Sequence, residues 1–203
     1  MLETEEILSK LKIPVEEVLN VYLYGSQVYG CITSESDHDY VIVQKRSLLP
    51  SGAFRDNAIS SDDRKIQGVC YSRGGFIDAI NNYEIRAMEC IFAPDNAVLQ
   101  KKMNFGMTKY TEKDMVKKVI EKASNSWHIA HLCNYEHDDI EHARKGVYQA
   151  IRILMFGLQI KETSKIHNFS EANEFKQLVT NDVFFNVKKY VFYRDELMHK
   201  LRK

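Results

Sequence analysis

The stretch VYLYGS at residues 21–26 is followed, after ten residues, by DHDYVIV at residues 37–43, and these two stretches decide the fold of the 203-residue chain. Each contains a run of β-branched and aromatic residues, which predicts a buried strand. The first strand is expected to end at Gly25, whereas the second begins with two carboxylates, Asp37 and Asp39. Because side chains two residues apart on a strand point to the same face, both carboxylates can lie on one side of the sheet.

Asp37 and Asp39 form a pair of hard oxygen donors, which suits Mg²⁺ or Mn²⁺ and not zinc. Gly25 allows the backbone to approach a phosphate closely. The amides of Gly25 and Ser26 can hold the oxygens of a triphosphate at a turn that opens a short helix, and the Ser26 hydroxyl adds a donor. Metal ions between carboxylates and phosphates would align an in-line attack on the α-phosphate. The alternative is a loop whose aspartates make turn and cap hydrogen bonds.

The rest of the first half predicts further elements around this pair. Thr4 can cap a first short helix, and a second one, led by its proline, is expected over residues 14–19. A third strand is expected over residues 65–71. Residues 76–90 are expected to form a helix with a break near residues 81–82.

The pattern in the second half is wholly helical. Thr111 and Asp114 resemble a capping box at the start of a helix whose apolar residues recur at helical spacing. A second helix is expected over residues 140–160, Ser170 can cap a third, and a last helix is expected over residues 184–201.

Strands in the first half and helices in the second predict an α+β domain over residues 1–110 and a helical domain over residues 111–203. The formal net charge is zero, but residues 1–100 carry 9 Lys and Arg against 15 Asp and Glu, whereas residues 101–203 carry 19 against 13. An acidic half suits a cation site and a basic half can approach phosphates. The alternative is two solvated surfaces that attract each other across a domain interface.

Cysteine usage and hydropathy predict the compartment. The four cysteines are widely spaced and none belongs to a C-x-x-C pair, so we interpret them as reduced thiols in a cytoplasmic protein. The amino terminus is acidic and has no hydrophobic segment of the kind found in secretory signals. No apolar run approaches membrane-spanning length, so no membrane partner is expected. The oligomeric state stays open.

Three charged residues outside the predicted strands also require an interpretation. Lys145 and Arg152 are seven positions apart on one helix face and can contact phosphates of the nucleotide or the acceptor. Ion pairs with the acidic domain are the alternative. Glu89 lies among apolar residues, and we interpret it as a buried, paired carboxylate rather than as a site residue.

A dense group of imidazole and thiol side chains lies in the second half: His128, His131, Cys133, His137 and His142. Both side-chain types bind zinc, but the spacing is not a standard zinc pattern, and the group crosses a predicted helix end. No zinc site is therefore expected.

The string YGSxxYG at residues 24–30, followed by SDxD at residues 36–39, resembles the signature of the DNA polymerase beta superfamily of nucleotidyltransferases. More narrowly, it resembles the RNA-repair-pathway group of predicted nucleotidyltransferases. The resemblance continues in the same order through five further segments: AMECIFAP (87–94), ASNSW (123–127), Lys145 with Arg152, FGLQI (156–160) and EAN (171–173). It covers most of the chain, although only the first motif is specific by itself. The resemblance implies a minimal nucleotidyltransferase mixed sheet with flanking helices, followed by a C-terminal helical bundle.

The chain also departs from the superfamily pattern. Most active members carry a third carboxylate on a following strand, where it completes the metal site and helps to activate the attacking hydroxyl. Here that position is expected near Gln67, whose amide cannot act as a general base and is a poorer metal ligand. Asp62 or Asp63 can supply the carboxylate only if the strand register differs. In the helical region, Gln149 and His128 stand where the group has His and Lys.

The resemblance implies metal-dependent transfer of a nucleoside monophosphate from an NTP such as ATP to an acceptor hydroxyl, on an RNA end, a protein or a small molecule. Asp37 and Asp39 would be catalytic and would hold Mg²⁺ or Mn²⁺. Gly25 and Ser26, with Lys145 and Arg152, would bind the nucleotide. Two alternatives are a catalytically impaired nucleotide- or RNA-binding module of the same fold and an antitoxin-like transferase that modifies a partner protein.

Overall fold

The computed structural model describes residues 3–32, 36–46, 57–63 and 65–203. The chain divides into two compact units. The sheet unit comprises Met1–Asn82 and Arg86–Lys109, and the helical unit comprises Tyr83–Ile85 and Tyr110–Lys203. In the described part of the chain, no helix is both long enough and apolar enough to cross a membrane.

The described residues of the sheet unit form five strands, and four described α-helices lie within or at the border of this unit. In chain order they are α1 (Thr4–Lys10), β1 (Val18–Tyr24), α2 (Ser26–Tyr29), β2 (His38–Gln44), β3 (Asn57–Ser60), β4 (Ile66–Ser72), α3 (Arg73–Asn81), α4 (Ile85–Ile91) and β5 (Val98–Lys101). The strands form one sheet in the order β3-β4-β2-β1-β5. Only the β2–β4 pair is parallel, so the sheet is mixed.

The register of the sheet aligns one residue from each of four strands. Tyr24 pairs with Asp39, Asp39 with Gln67, and Gln67 with Ser60. Directly opposed residues of neighbouring strands point to the same face. These four residues therefore form a row along one end of the sheet, which we call the polar row.

Both faces of the central strands are covered, which explains why their sequences are apolar without alternation. On one face, Ile7 and Leu8 of α1 belong to the same buried cluster as Leu23 and Tyr40. On the other, the Phe76 ring of α3 lies 6.1 Å from the Tyr22 ring and 5.4 Å from the Tyr71 ring. The register places the polar row on this second face, at its end.

The prediction of a helix over residues 14–19 is wrong. Val15–Glu17 form only a 3₁₀ turn, and β1 already begins at Val18. Val18 pairs with Gln44 and is fully buried, so strand pairing and burial outweigh the local helical pattern. The break near Asn81-Asn82 is confirmed, but α3 begins earlier than expected, where the Ser72 hydroxyl accepts a hydrogen bond from Gly75 N.

The helical unit is built on two long antiparallel helices, α5 (Glu112–Tyr135) and α6 (Ile140–Thr163). They approach closely at Gly146 and Gly157, where a Cβ atom would lie 2.8 Å from Ala130 Cβ and 2.5 Å from Val119 Cγ1, respectively. The missing side chains thus allow the two helices to pack against each other. After them come α7 (Asn173–Thr180), a 3₁₀ turn (Val187–Tyr190) and α8 (Val191–Arg202).

The predicted start of α5 after Thr111 is confirmed, but one predicted cap and two predicted helix starts of the helical unit are wrong. Thr111 precedes α5 but makes no side-chain cap, so the capping box with Asp114 does not form. Ser170 does not cap α7, because its hydroxyl donates to Asn168 Oδ1 and the cap position is Ala172. The last helix begins at Val191 and not at residue 184.

Candidate active site

The end of β1 lies directly against a carboxylate of β2. Gly25 follows β1 with φ 71° and ψ −145°, a conformation that side-chain-bearing residues rarely adopt. A Cβ atom at this position would lie 2.5 Å from Asp39 Oδ2. Both the conformation and the lack of space require glycine here. The backbone at Gly25 therefore packs on the Asp39 carboxylate.

The chain then forms the single turn of α2. Gly25 O accepts hydrogen bonds from Val28 N at 3.0 Å and from Tyr29 N at 3.2 Å, and Ser26 O accepts one from Cys31 N at 3.0 Å. Gly30 ends the turn in the left-handed region, with φ 70°. Residues 25–29, here called the glycine loop, are thus held as one compact turn beside the polar row.

Asp37 and Gln67 meet across the parallel strand pair. Gln67 Nε2 donates a hydrogen bond to Asp37 Oδ2 at 2.9 Å, and Gln67 is also the register partner of Asp39. Asp37 is exposed and Asp39 is half-buried. The structure therefore places both aspartates next to the residue at which the superfamily pattern expects a third carboxylate. That residue is an uncharged amide, which can donate to a carboxylate but cannot accept a proton from a substrate.

The Asp62 and Asp63 side chains contact residues outside the polar row. Asp62 Oδ1 forms an exposed ion pair with Lys12 Nζ at 3.0 Å. Asp63 accepts hydrogen bonds from the Ser61 hydroxyl and from Lys65 N, which lower the pKa of its carboxyl group. Among the residues that the structure describes, no group of three or more His, Cys, Asp or Glu side chains is arranged to hold a metal ion.

Glu89 lies in α4, outside the strands, and it is connected to the glycine loop. Its side chain is 2 % exposed and accepts a hydrogen bond from the Tyr29 hydroxyl at 2.6 Å. One turn earlier in α4, the Arg86 guanidinium lies 5.7 Å from the centre of the Tyr24 ring. The interpretation of Glu89 as a buried, paired carboxylate agrees with this contact. Sequence reasoning missed its partner, because 60 residues separate the two side chains.

Lys145 and Arg152 both lie on α6 of the helical unit, but their surroundings differ. Lys145 is exposed. Arg152 is only 7 % exposed, and its guanidinium lies 5.5 Å from the centre of the Tyr148 ring. Lys176 Nζ lies 5.8 Å from the same ring. Arg152 is therefore part of a packed arrangement of cations around Tyr148.

Two histidines of the second-half group have close partners. His142 Nδ1 lies 2.6 Å from Asp139 Oδ2, and the His142 backbone amide donates to the same carboxylate, which caps α6. The backbone hydrogen bond is the largest of the effects that lower the pKa of Asp139. The His131 ring lies 4.5 Å from the Tyr135 ring.

No protein-family model matches the chain, and no curated protein matches it in sequence. Solved structures do match. The spectinomycin adenyltransferase AAD(9) from Enterococcus faecialis, crystallised with ATP and spectinomycin, aligns over 98 % of this chain and 96 % of its own, with a TM-score of 0.50 and 14 % identity. A nucleotidyltransferase-like protein from Exiguobacterium sibiricum aligns over 98 % of this chain and 73 % of its own, with a TM-score of 0.32 and 12 % identity.

The likeness to the adenyltransferase is one of fold, since so low an identity carries no residue roles. It confirms the expected α+β nucleotidyltransferase fold, with a mixed five-stranded sheet, flanking helices and a C-terminal helical region. The fold does not distinguish the RNA-repair-pathway group from other branches.

Proposed function

We propose that this chain transfers a nucleoside monophosphate from an NTP to an acceptor hydroxyl, with Asp37 and Asp39 as catalytic residues. The observation that carries the proposal is the contact between Gly25 and Asp39, where a Cβ atom would lie 2.5 Å from the carboxylate. A backbone turn suited to phosphate and a carboxylate suited to a cation are thus adjacent, on a fold similar to that of an adenyltransferase crystallised with ATP.

Asp37 and Asp39 fit a divalent cation, Mg²⁺ or Mn²⁺, because both are carboxylates near one end of the sheet. Within the described residues no third acidic, thiol or imidazole group joins them. Mg²⁺ is commonly held by one or two carboxylates together with substrate phosphates and water, so two aspartates suffice for a shared site. When bound, the cation offsets phosphate charge and makes the α-phosphorus more electrophilic.

The glycine loop would hold the triphosphate. Gly25 leaves the backbone open to close approach, and Ser26 contributes an amide and a hydroxyl as donors. We also propose that Lys145 and Arg152 contact phosphates of the nucleotide. The exposed Lys145 is the simpler of the two to test, because the buried guanidinium of Arg152 also packs on Tyr148.

The reaction forms a bond between the acceptor oxygen and the α-phosphorus, while the bond to the β-phosphate breaks and pyrophosphate leaves. The acceptor proton needs a base. Gln67 cannot take it, which leaves solvent or one of the two aspartates. We therefore expect transfer to be slow compared with enzymes that place a third carboxylate here.

The test measures pyrophosphate release from each of the four NTPs with Mg²⁺ or Mn²⁺, in the presence and absence of total RNA. The Asp37→Asn/Asp39→Asn variant should lose release, by at least about 100-fold. Asp62→Asn/Asp63→Asn is the matched control, since it removes the same charge from two other carboxylates of the sheet unit and should retain release. Equal release from both double variants would contradict the proposal.

Labelled ATP added to a cell lysate identifies the acceptor. Label in RNA supports transfer to an RNA end, label in protein supports an antitoxin-like transferase, and label in neither points to a small molecule of the kind that the adenyltransferase binds.

The second candidate function is a nucleotide- or RNA-binding module without turnover. The observation that favours it is the hydrogen bond from Gln67 to Asp37, because the amide at this position cannot act as a general base. Binding of an NTP by calorimetry, without pyrophosphate release under any condition, would support this candidate over the transferase.

A further inference from the structure

Glu89 occupies an unusual position for a carboxylate. It lies in a helix whose other buried residues are apolar, including Ala87, Met88 and Cys90. A buried carboxylate is costly unless hydrogen bonds compensate it. An apolar residue of similar size would fill this space at lower cost. The presence of glutamate therefore indicates a need for a strong hydrogen-bond acceptor at this point.

One group that uses this acceptor is the Tyr29 hydroxyl, at 2.6 Å. Tyr29 is the last residue of α2 and is 3 % exposed. A single helical turn of four residues is unstable in isolation, and α2 is also bounded by glycines on both sides. Side-chain contacts from outside the turn must therefore hold it in place.

Helix α4 supplies such contacts near both ends of the turn. Glu89 holds Tyr29 at the far end, and Arg86 lies over Tyr24, the residue that precedes Gly25. The Tyr24 and Tyr29 rings also meet edge to face, with centroids 6.2 Å apart. The glycine loop is thus held between two tyrosines that both contact α4.

We infer that Glu89 is a positioning residue of the nucleotide site: through the Tyr29 hydroxyl it fixes α2, and thereby keeps Gly25 against Asp39 and the loop ready for a triphosphate. The nucleotide part of this inference rests on the proposed function. The positional part does not, because it concerns the loop in the free protein.

The first experiment measures the affinity for ATP with Mg²⁺ by calorimetry on the full chain. Tyr29→Phe removes only the hydroxyl, and we expect it to weaken ATP binding about tenfold. Tyr22→Phe is the matched control: its hydroxyl accepts a hydrogen bond from Asn20 Nδ2, also at 2.6 Å, and its side chain is 4 % exposed. Both variants should lose similar stability, but only Tyr29→Phe should lose affinity.

Variants at position 89 test the acceptor itself. Glu89→Gln keeps an acceptor oxygen and should stay within about threefold of the wild-type affinity, whereas Glu89→Leu should lose as much as Tyr29→Phe. In the Tyr29→Phe/Glu89→Leu double variant the two losses should not add, since both remove one interaction. Additive losses would overturn the inference.

Hydrogen exchange gives a measurement that does not depend on nucleotide. The amides of Val28, Tyr29 and Cys31 donate to carbonyl oxygens of the glycine loop, and they should exchange faster in Tyr29→Phe but not in Tyr22→Phe. Unchanged exchange overturns the inference, whatever the wild type does with ATP. If the wild type binds no NTP while the exchange rates change as expected, the proposed function fails and the positioning role stands.

Discussion

Gly25 and Gly157 both stand where no side chain fits, one in each unit of the molecule, but they contact different groups. At Gly25 the added Cβ would meet a carboxylate oxygen, and the backbone is in a conformation that favours glycine. At Gly157 it would meet a methyl group of Val119, inside an ordinary helix. The first glycine keeps backbone next to charge, whereas the second keeps two helices close. We therefore expect substitution of the first to affect function and substitution of the second to affect stability.

Gly25→Ala should have the largest effect on activity. The new methyl group displaces the Asp39 carboxylate and strains the backbone by about 1–3 kcal/mol. We expect nucleotidyl transfer to fall by about 100-fold or more, measured as pyrophosphate release.

Gly30→Ala is the matched control for this prediction. Gly30 has nearly the same φ, 70°, but a Cβ atom there meets nothing within 4 Å. Its ψ of 30° places it in the left-handed region, which alanine adopts at lower cost than the conformation of Gly25, so Gly30→Ala carries a smaller strain and no clash and should retain most of the transfer rate. Equal losses in the two variants would contradict a special role for the contact between Gly25 and Asp39.

Gln67→Glu adds a negative charge to the polar row and should raise the transfer rate. The new carboxylate would lie beside Asp39 and Asp37, where it can accept the proton of the attacking hydroxyl. General-base catalysis supplies about 10²–10⁴-fold in enzymes, and we expect a gain of about 10- to 100-fold in pyrophosphate release.

Gln67→Ala separates the two components of this change, since it removes the amide without adding a carboxylate. A gain in both variants would mean that the hydrogen bond to Asp37 inhibits transfer. If neither variant releases pyrophosphate faster, Gln67 is not the cause of slow transfer.

Much of the sheet and of the candidate site follows from local sequence. The two apolar runs, the glycine and the alternating aspartates are close in sequence, and period-two alternation on a strand predicts which side chains share a face. The composition of residues 65–71 predicts a strand, and the family pattern places Gln67 of that strand beside the aspartates. The observed sheet and the likeness to a solved structure confirm the expected α+β fold.

What sequence reasoning missed depends on distant contacts. β3 and β5 are four-residue strands at the two edges of the sheet, too short to show a period. Residues 14–19 look helical alone, but the last two of them belong to β1, because Val18 is paired and buried. The contacts of Tyr29 with Glu89 and of Gly157 with Val119 join separate elements, and neither partner marks the other in the sequence.

Gly157→Ala tests the prediction that substitution of the second glycine lowers stability. Valine has a stiff side chain, so Val119 cannot easily move away from a Cβ atom 2.5 Å from its Cγ1. Overpacking costs about 1–3 kcal/mol, partly offset by the better helix propensity of alanine, about 1 kcal/mol. We expect a net loss of up to about 2 kcal/mol in the free energy of unfolding, measured in urea, with an unchanged transfer rate per folded molecule.

The Gly157→Ala/Val119→Ala double variant should be no less stable than Val119→Ala alone, since the smaller residue makes room for the new methyl group. A Gly157→Ala variant that loses transfer but not stability would contradict the expected difference between the two glycines.

The smallest expected effect concerns two hydroxyls at helix starts, one in each unit. Ser72 caps α3, with its Oγ accepting from Gly75 N at 3.1 Å, whereas Thr111 precedes α5 without a side-chain cap. Ser72→Ala should lower the free energy of unfolding by about 1 kcal/mol, because an amide loses its acceptor. Thr111→Ala should change it by less than about 0.5 kcal/mol, since no cap is removed. Urea unfolding of the two variants measures both values. An equal loss in the two variants would contradict the assignment of the cap to Ser72 alone.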